Sequence, residues 1–351
     1  MNTKILLFIA LIITLSSCED HFGEEVSTEA SGKYENGLFI VNEGLYTHGS
    51  GSLSFYNDEF AEMENDIFYN ANNRPLGDVP QSMTIVDTLG YVVINNSGKI
   101  EIVSLNTAIS YGSISGLRSP RYFLPVSEEY AYVSDLYSDS LAVINLITNE
   151  ISSYINISCS SEQMLKVDKK VFVANWSSIS SPNSENNRIA IINSDLNQLN
   201  SYIEVVKEPN SMVLDKNNNL WVLCSGGYDN SEIPALIQIN TIDNSIIKQI
   251  DFPINDSPNS LMINGAGDML YFLNQNVYRM PITDNNIPSD SFIENDGHLF
   301  YALGVDPVNN DVYVSDAMDY QQNGMVYRYN SHGVSLDFER AGIIPGKFVF
   351  R

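Results

Sequence analysis

Two short sequence patterns recur in a fixed order along most of the chain, and this repetition constrains the fold more than any other feature. The first pattern is a turn residue followed by an apolar-rich stretch. The second follows about ten residues later and is a run of β-branched and aromatic residues, which predicts a β-strand. Copies of the first pattern begin at Pro80, Pro120, Ser161, Pro209, Pro258, Leu299 and Pro345. Copies of the second begin at Leu38, Tyr91, Ala131, Val171, Leu220, Leu270 and Asp311.

The spacing of the copies, roughly 40 to 50 residues, is that of a four-stranded propeller blade. The two ends of the chain carry half a unit each, because nothing of the first kind precedes Leu38 and nothing of the second kind follows Pro345. Pairing Phe348–Phe350 with Leu38–Val41 would complete a blade and leave no long sheet edge unpaired. The sequence therefore predicts an all-β, seven-bladed β-propeller over residues 37–351, with a ring closed by its C-terminal strand.

The first residues predict a compartment. Residues 1–17 combine one lysine with a short apolar run that is too short to span a bilayer, which is typical of a signal peptide. The run ends in Leu15-Ser-Ser-Cys18, which resembles the bacterial lipobox, so we expect Cys18 to be lipidated and to replace the signal as anchor. Glu19-Asp20 follows and resembles the export signal of lipoproteins that reach the outer face of the outer membrane. Residues 18–36 are expected to be an acidic, flexible tether.

Composition excludes several partners. The chain has 18 basic and 43 acidic residues and a formal net charge of −25, so nucleic acid and anionic lipid surfaces would repel it. Contact with a membrane is therefore expected through the N-terminal lipid alone. After the signal, only Cys159 and Cys224 are left, and their spacing does not decide whether they pair.

Signals for catalysis or for a bound metal are weak. The four histidines are scattered, and no pair has the spacing of a metal-binding motif. Asp215-Lys-Asn-Asn-Asn and Asp306-Pro-Val-Asn-Asn carry carboxylates, but their pattern favours hairpin turns over calcium loops. We therefore expect no enzyme activity, no metal and no cofactor.

Two stretches resemble known surface propellers. Ala131-Tyr-Val-Ser-Asp and the residues up to Ile151 are similar to the YVTN-type repeat. Leu38-Phe-Ile-Val-Asn-Glu-Gly, followed by Arg74-Pro-Leu-Gly-Asp-Val-Pro-Gln-Ser-Met, looks like the opening of the DUF5074 and YncE-like lipoprotein propellers of Bacteroidetes. That resemblance implies a surface lipoprotein that captures a nutrient, cobalamin-like or siderophore-like, for a TonB-dependent outer-membrane transporter.

Most candidate binding residues lie in loops that a propeller would gather at one end of its channel, and Arg121 opens a first strand at that end. The candidates are Tyr46, His48, Arg121, Tyr137, Trp176, Tyr228 and Tyr320. Aromatic side chains with a polar tip suit a flat or amphipathic ligand, although surface tyrosines are also common in a chain with 20 of them. Arg121 would bind a carboxylate or phosphate of the ligand, or else form a structural salt bridge.

Three functions stay open at this stage. The first is capture of a small nutrient ligand by a lipid-anchored protein that faces the cell exterior. The second is adhesion, or a structural role, through the same loops. The third is hydrolysis of the lactonase type, which would need clustered carboxylates around a metal ion.

Overall fold

In a computed structural model of the chain, which describes residues 32–176, 186–228 and 231–351, the strands form seven separate antiparallel sheets. The lipidation site predicted at Cys18 lies outside the described residues. The strands are β1 (Gly37–Asn42), β2 (Ser52–Asn57), β3 (Glu62–Glu64), β4 (Pro80–Val86), β5 (Leu89–Ile94), β6 (Lys99–Ser104), β7 (Ser110–Ser115), β8 (Pro120–Pro125), β9 (Tyr130–Asp135), β10 (Ser140–Asn145), β11 (Glu150–Asn156), β12 (Met164–Val167), β13 (Lys170–Ala174), β14 (Arg188–Asn193), β15 (Gln198–Glu204), β16 (Pro209–Leu214), β17 (Asn219–Cys224), β18 (Ala235–Asn240), β19 (Ile246–Asp251), β20 (Asn259–Ile263), β21 (Met269–Asn274), β22 (Asn276–Pro281), β23 (Phe300–Val305), β24 (Val312–Asp316), β25 (Asn323–Tyr329), β26 (Ser335–Ile343) and β27 (Pro345–Phe350).

The sheets confirm the predicted seven-bladed propeller. Blade 1 has the order β27-β1-β2-β3, blades 2 to 5 comprise β4–β7, β8–β11, β12–β15 and β16–β19, blade 6 comprises β20–β22, and blade 7 comprises β23–β26. In each blade a copy of the first sequence pattern leads into the innermost strand, and a copy of the second forms the strand beside it. The described part of the chain contains one helix, α1 (Ile67–Asn72), and no helix there is long and apolar enough to cross a membrane.

The two ends of the chain share blade 1, as the sequence predicts. β27 pairs with β1 in the register Leu38 to Phe350, Phe39 to Val349, Ile40 to Phe348 and Val41 to Lys347. Residues 32–36, which the sequence places in the tether, pack on this blade, where Tyr34 is buried against Phe39 and Phe55. Arg351 donates hydrogen bonds to the carbonyl oxygens of Tyr34 and Leu105.

Blade 6 departs from the expectation of four strands. Among the described residues its sheet has three strands. In place of a fourth strand, the outer strand β22 makes a single bridge, between its Val277 and Ile293. β22 ends in Pro281, which has no N–H to donate, and Pro288 interrupts the segment that follows. Prolines of this kind limit the pairing of an edge strand.

Apolar side chains on facing sheets fill the spaces between neighbouring blades. Residues from blades 4 and 5 form one such cluster, in which Phe172, Met212 and Leu220 are fully buried. Cys159 and Cys224 are both free thiols buried in different clusters. Burial raises the pKa of Cys159 to about 12, and it also raises the pKa of Cys224. Both thiols therefore act as small apolar core residues.

A polar cluster joins blades 1 and 7 beside the closure. The guanidinium of Arg328, of which 15% of the side chain is exposed, lies 2.8 Å from the carboxylate of Asp311 and within 3.9 Å of the carboxylates of Asp58 and Asp337. Tyr56 donates to Asp337 at 2.7 Å, and Tyr313 donates to Asp58. Because Asp58 and Tyr56 belong to blade 1 and the other residues to blade 7, the cluster fastens the first blade to the last.

We predict that Arg328→Met lowers the free energy of unfolding by about 3 kcal/mol, because it leaves three partly buried carboxylates without their cation. Chemical denaturation of the purified protein measures this change. Lys169→Met breaks the exposed ion pair with Asp195 and serves as the control, for which we expect no measurable change. Equal effects of the two substitutions would contradict a special role for the Arg328 cluster.

Candidate functional site

The inner strands begin at the end of the channel where the second strands end. Pro80 pairs with Ile94, Pro120 with Asp135, and Asn42 with Pro345, so the loops after the second strands lie beside the starts of the inner strands. We call this end the mouth. It holds a cavity of about 390 Å³, which is within the range of small-molecule sites. Its lining includes Glu43, Gln81, Arg121, Tyr122, Glu162, Gln163, Trp176, Asn210, Asn259, Phe300, Tyr301, Tyr320, Gly346 and Lys347.

The seven predicted ligand-binding residues divide into three groups. Arg121, Trp176 and Tyr320 line the mouth cavity. Tyr228 lines an adjoining hollow of about 460 Å³, which shares Trp176 with the mouth cavity. Tyr46, His48 and Tyr137 line neither space. All three are exposed, and the Nδ1 of His48 lies 2.8 Å from the carbonyl oxygen of Tyr46 in its own loop. Their part in ligand binding stays a prediction.

Arg121 forms a bidentate ion pair with Glu162. Its Nε lies 2.7 and 2.9 Å from the two carboxylate oxygens, and its Nη2 lies 2.6 Å from Oε1. Its Nη1 donates to Oε1 of Gln81 at 2.5 Å. Burial lowers the pKa of Arg121, but the carboxylate of Glu162 outweighs burial and holds that pKa above its usual value. The ion pair joins blade 3 to the segment that enters blade 4. The hydrogen bond from Arg121 to Gln81 connects blade 2 to the same group.

Trp176 covers this ion pair from the mouth side. The centroid of its indole lies 5.7 Å from the Arg121 guanidinium carbon, within the range of a cation–π contact. Trp176 lies two residues after the end of β13, and the residue between them, Asn175, is fully buried and donates to the carbonyl oxygen of Ser160 at 3.0 Å. The base of the loop is therefore fixed where the indole leaves the sheet.

A second polar contact joins blade 7 to blade 1. The hydroxyl of Tyr301 donates to Glu43 at 2.9 Å, and the ring of Tyr301 meets that of Tyr320 edge to face at 5.9 Å. Burial raises the pKa of the Glu43 carboxyl, while the hydrogen bond from Tyr301 and the charge of Arg121 oppose the rise. Gly346 faces this carboxyl so closely that a Cβ there would lie 2.6 Å from Oε1 of Glu43 and would displace the carboxyl group.

Amide side chains tie other inner strands together. Gln163 accepts from the N–H of Met212 at 2.6 Å and donates to its carbonyl oxygen at 3.0 Å, which links blades 4 and 5. Asn210 donates to the carbonyl oxygen of Pro258 at 2.9 Å and links blades 5 and 6. The amides at the strand entries thus line the cavity and also bridge blades. Such bridges keep the walls of the cavity in place before any ligand binds.

Sequence reasoning missed Glu43, Tyr301 and Lys347. The repeats carried a signal for two of them. Lys347 occupies the same place in Pro345-Gly-Lys-Phe as Tyr122 occupies in Pro120-Arg-Tyr-Phe, and Glu43 follows its second strand as Trp176 follows β13. Aligning all seven copies position by position would have identified both.

His298 belongs to a separate polar group. Its Nδ1 lies 2.9 Å from the buried carboxylate of Asp316, and its ring packs on Tyr327 with 4.7 Å between centroids. Asp316 also accepts from the N–H groups of Leu299 and Met318, so it orders the turn that carries Tyr320. Across residues 32–176, 186–228 and 231–351, no three His, Cys, Asp or Glu side chains are grouped to hold a metal ion.

We predict that Glu43→Gln makes the protein more stable at neutral pH but not at acid pH. The pKa of Glu43 is raised above its usual value of 4.5 in the folded protein, so the folded carboxyl keeps its proton to a higher pH than the unfolded one. The wild type therefore loses stability as the pH rises from 4.5 through the pKa of the folded carboxyl. The amide keeps an acceptor for Tyr301 and has no charge to bury. Melting temperatures of both proteins between pH 4 and 8 should coincide at the acid end and diverge above it. A variant that is less stable at every pH would contradict this account.

Several solved structures share the fold over most of this chain. A quinonprotein alcohol dehydrogenase-like protein from Bacteroides thetaiotaomicron superposes with a TM-score of 0.71 at 15% identity, covering 90% of this chain and 78% of that one. A candidate 6-phosphogluconolactonase from Bacteroides fragilis superposes with a TM-score of 0.63 at 12% identity, covering 91% and 100%. A protein from Lactobacillus plantarum gives 0.66 at 12% identity, covering 90% and 99%. At such identities the likeness shows the fold alone.

No curated protein matches the sequence. Residues 36–338, most of the propeller, match the family described as a domain of unknown function, DUF5074. This match confirms the resemblance that the opening residues of the propeller carry. The chain therefore belongs to the DUF5074 family.

Proposed function

We propose that this DUF5074 protein is a lipid-anchored protein on the outer face of the outer membrane. In this proposal it captures a small nutrient ligand, cobalamin-like or siderophore-like, at its mouth and passes it to a TonB-dependent transporter. The observation that carries the proposal is the mouth cavity, which is rimmed by Trp176 and Tyr320 and tied at its base by contacts between blades.

The walls of the cavity favour binding because they are held in place. The ion pair of Arg121 with Glu162 and the hydrogen bond of Tyr301 to Glu43 connect inner strands that are distant in sequence. A ligand that enters such a site orders few side chains, so little of its binding free energy is lost to conformational entropy.

The rim supports a ligand larger than the cavity itself. The mouth cavity and the hollow beside Tyr228 share Trp176, Asn210 and Asn259, so a ligand with a broad flat body would extend from one to the other over the indole. Aromatic rings provide large, rigid contact area for such a body.

The location and the partner rest on the sequence. The apolar run before Cys18 and the acids after it support anchoring and export, and the resemblance to Bacteroidetes propellers supports the transporter. Adhesion is the second proposal for the same face. Hydrolysis is a weaker one, because the two carboxylates of the cavity, Glu43 and Glu162, already have partners within the described chain.

A binding screen tests the capture proposal. Residues 32–351 form one compact unit with a closed ring, so the screen uses this stretch of the chain. We expect one member of a panel of cobalamins, ferric siderophores and haem to raise the melting temperature, because a ligand at 100 times its Kd adds about 2.7 kcal/mol to the stability. Trp176→Ala should lower the affinity for that ligand at least about tenfold, as measured by calorimetry.

Tyr111→Ala is the matched control, because Tyr111 is an exposed tyrosine on the outer strand of blade 2 and should not affect binding. A panel without any stabilising member would contradict the capture of these nutrients. Binding that Trp176→Ala leaves unchanged would contradict the mouth as the site.

A further inference from the structure

Among the residues that the structure describes, four charged side chains line the mouth cavity, and three of them have partners. Arg121 and Glu162 neutralise each other, and all three guanidinium nitrogens of Arg121 already donate to acceptors. Glu43 accepts from Tyr301. These three groups therefore offer a ligand little unsatisfied charge.

Lys347 is the fourth charged group, and it has no such partner. It lies half-buried in the cavity lining on the inner strand β27, opposite Val41 of β1. Among the described residues, no carboxylate lies within ion-pair distance of its ammonium group and no acceptor bonds to it. Its Nζ lies 5.7 Å from the ring centroid of Tyr122, which is a weak contact.

The other lysines show how unusual this is in an acidic protein. Five lysines of the described chain form ion pairs: Lys33, Lys99, Lys169, Lys207 and Lys216. Two more, Lys170 and Lys248, donate to backbone carbonyl oxygens in turns. Lys166 has no partner within the described ranges but is exposed to water.

A half-buried ammonium group that makes no ion pair is costly, because it has lost water and gained no contact with an anion in return. Burial lowers the pKa of Lys347, and the nearby Glu162 opposes that shift only in part. An apolar residue of the same length would fill the space without this cost. A positive charge kept in a cavity at that cost points to an anionic ligand.

We propose that Lys347 binds one anionic group of the ligand, a carboxylate, phosphate or sulfonate, while the rings of Tyr122, Trp176 and Tyr320 contact its flat apolar body. This inference rests on the proposed function and specifies the chemical class of the ligand. A single unpaired cation suits a single anionic group. A second anion on the ligand would find no free cation among the described residues of the cavity, because Arg121 is already paired with Glu162.

Two fluorescent probes that differ by one anionic group test the proposal. The first is 8-anilinonaphthalene-1-sulfonate, and the second is the neutral N-phenyl-1-naphthylamine. We expect the wild type to bind the sulfonate about tenfold or more tightly than the neutral probe, as a charged hydrogen bond predicts. Lys347→Met should remove this preference while it leaves the affinity for the neutral probe within about twofold.

Two further variants complete the experiment. Lys166→Met removes an exposed lysine of the same size, and it should keep the full preference for the sulfonate. Trp176→Ala should lower the affinity for both probes, and this loss would show that they bind in the mouth cavity. Melting curves of every variant establish that it is folded, and Lys347→Met should be at least as stable as the wild type because it removes a desolvated charge.

The outcomes separate this inference from the proposed function. If both probes bind the wild type equally, or if Lys347→Met keeps the preference, the role of Lys347 is overturned while ligand binding at the mouth stands. If neither probe binds, or if Trp176→Ala weakens neither, the mouth is not a binding site. The proposed function and the inference then fall together.

Discussion

The pairing of β27 with β1 is the contact on which the rest of the structure depends. It joins residues that are about 300 positions apart, and it turns a row of sheets into a ring without an open end. The same pairing places Gly346 against the carboxyl of Glu43 and puts Lys347 into the lining of the cavity. The walls of the mouth therefore form only when the ring closes.

Charge is distributed so that an acidic protein has a nearly neutral mouth. With 43 acidic and 18 basic residues in the chain, few cations are available, and the structure places two of them in this cavity. Arg121 is used to join blades, whereas Lys347 forms no ion pair with any part of the chain that the structure describes. The Arg328 cluster has a similar joining role between blades 1 and 7. Polar contacts thus fix the positions of the blades, while apolar side chains fill the spaces between them.

The sequence predicted the architecture because each blade repeats the same two strands, and the unmatched half-units at Leu38 and Pro345 predicted the closure. It did not predict the three-stranded blade 6, because the loss of one edge strand leaves the repeat spacing unchanged. Arg121 sits at the start of an inner strand, so the repeat alone placed it at the mouth. Side chains in loops were harder to place, because the conformation of a loop depends on contacts outside it. The backbone N–H of Thr47, for example, donates to the carboxylate of Asp78, which lies just before blade 2. The loop that contains Thr47 leaves Tyr46 and His48 outside the cavity. The repeat places Lys347 in the cavity wall, but its lack of an ion pair depends on the folded structure and could not be predicted.

Hydrogen–deuterium exchange of the amides in β27 tests the closed ring most directly. If the ring is closed, the amides of Lys347 and Val349, which face β1, should exchange as slowly as those of the central strand β13, and both should become exposed only on global unfolding. Exchange in β27 at the rate of an unprotected peptide, while β13 stays protected, would contradict the closure and with it the cavity at the mouth.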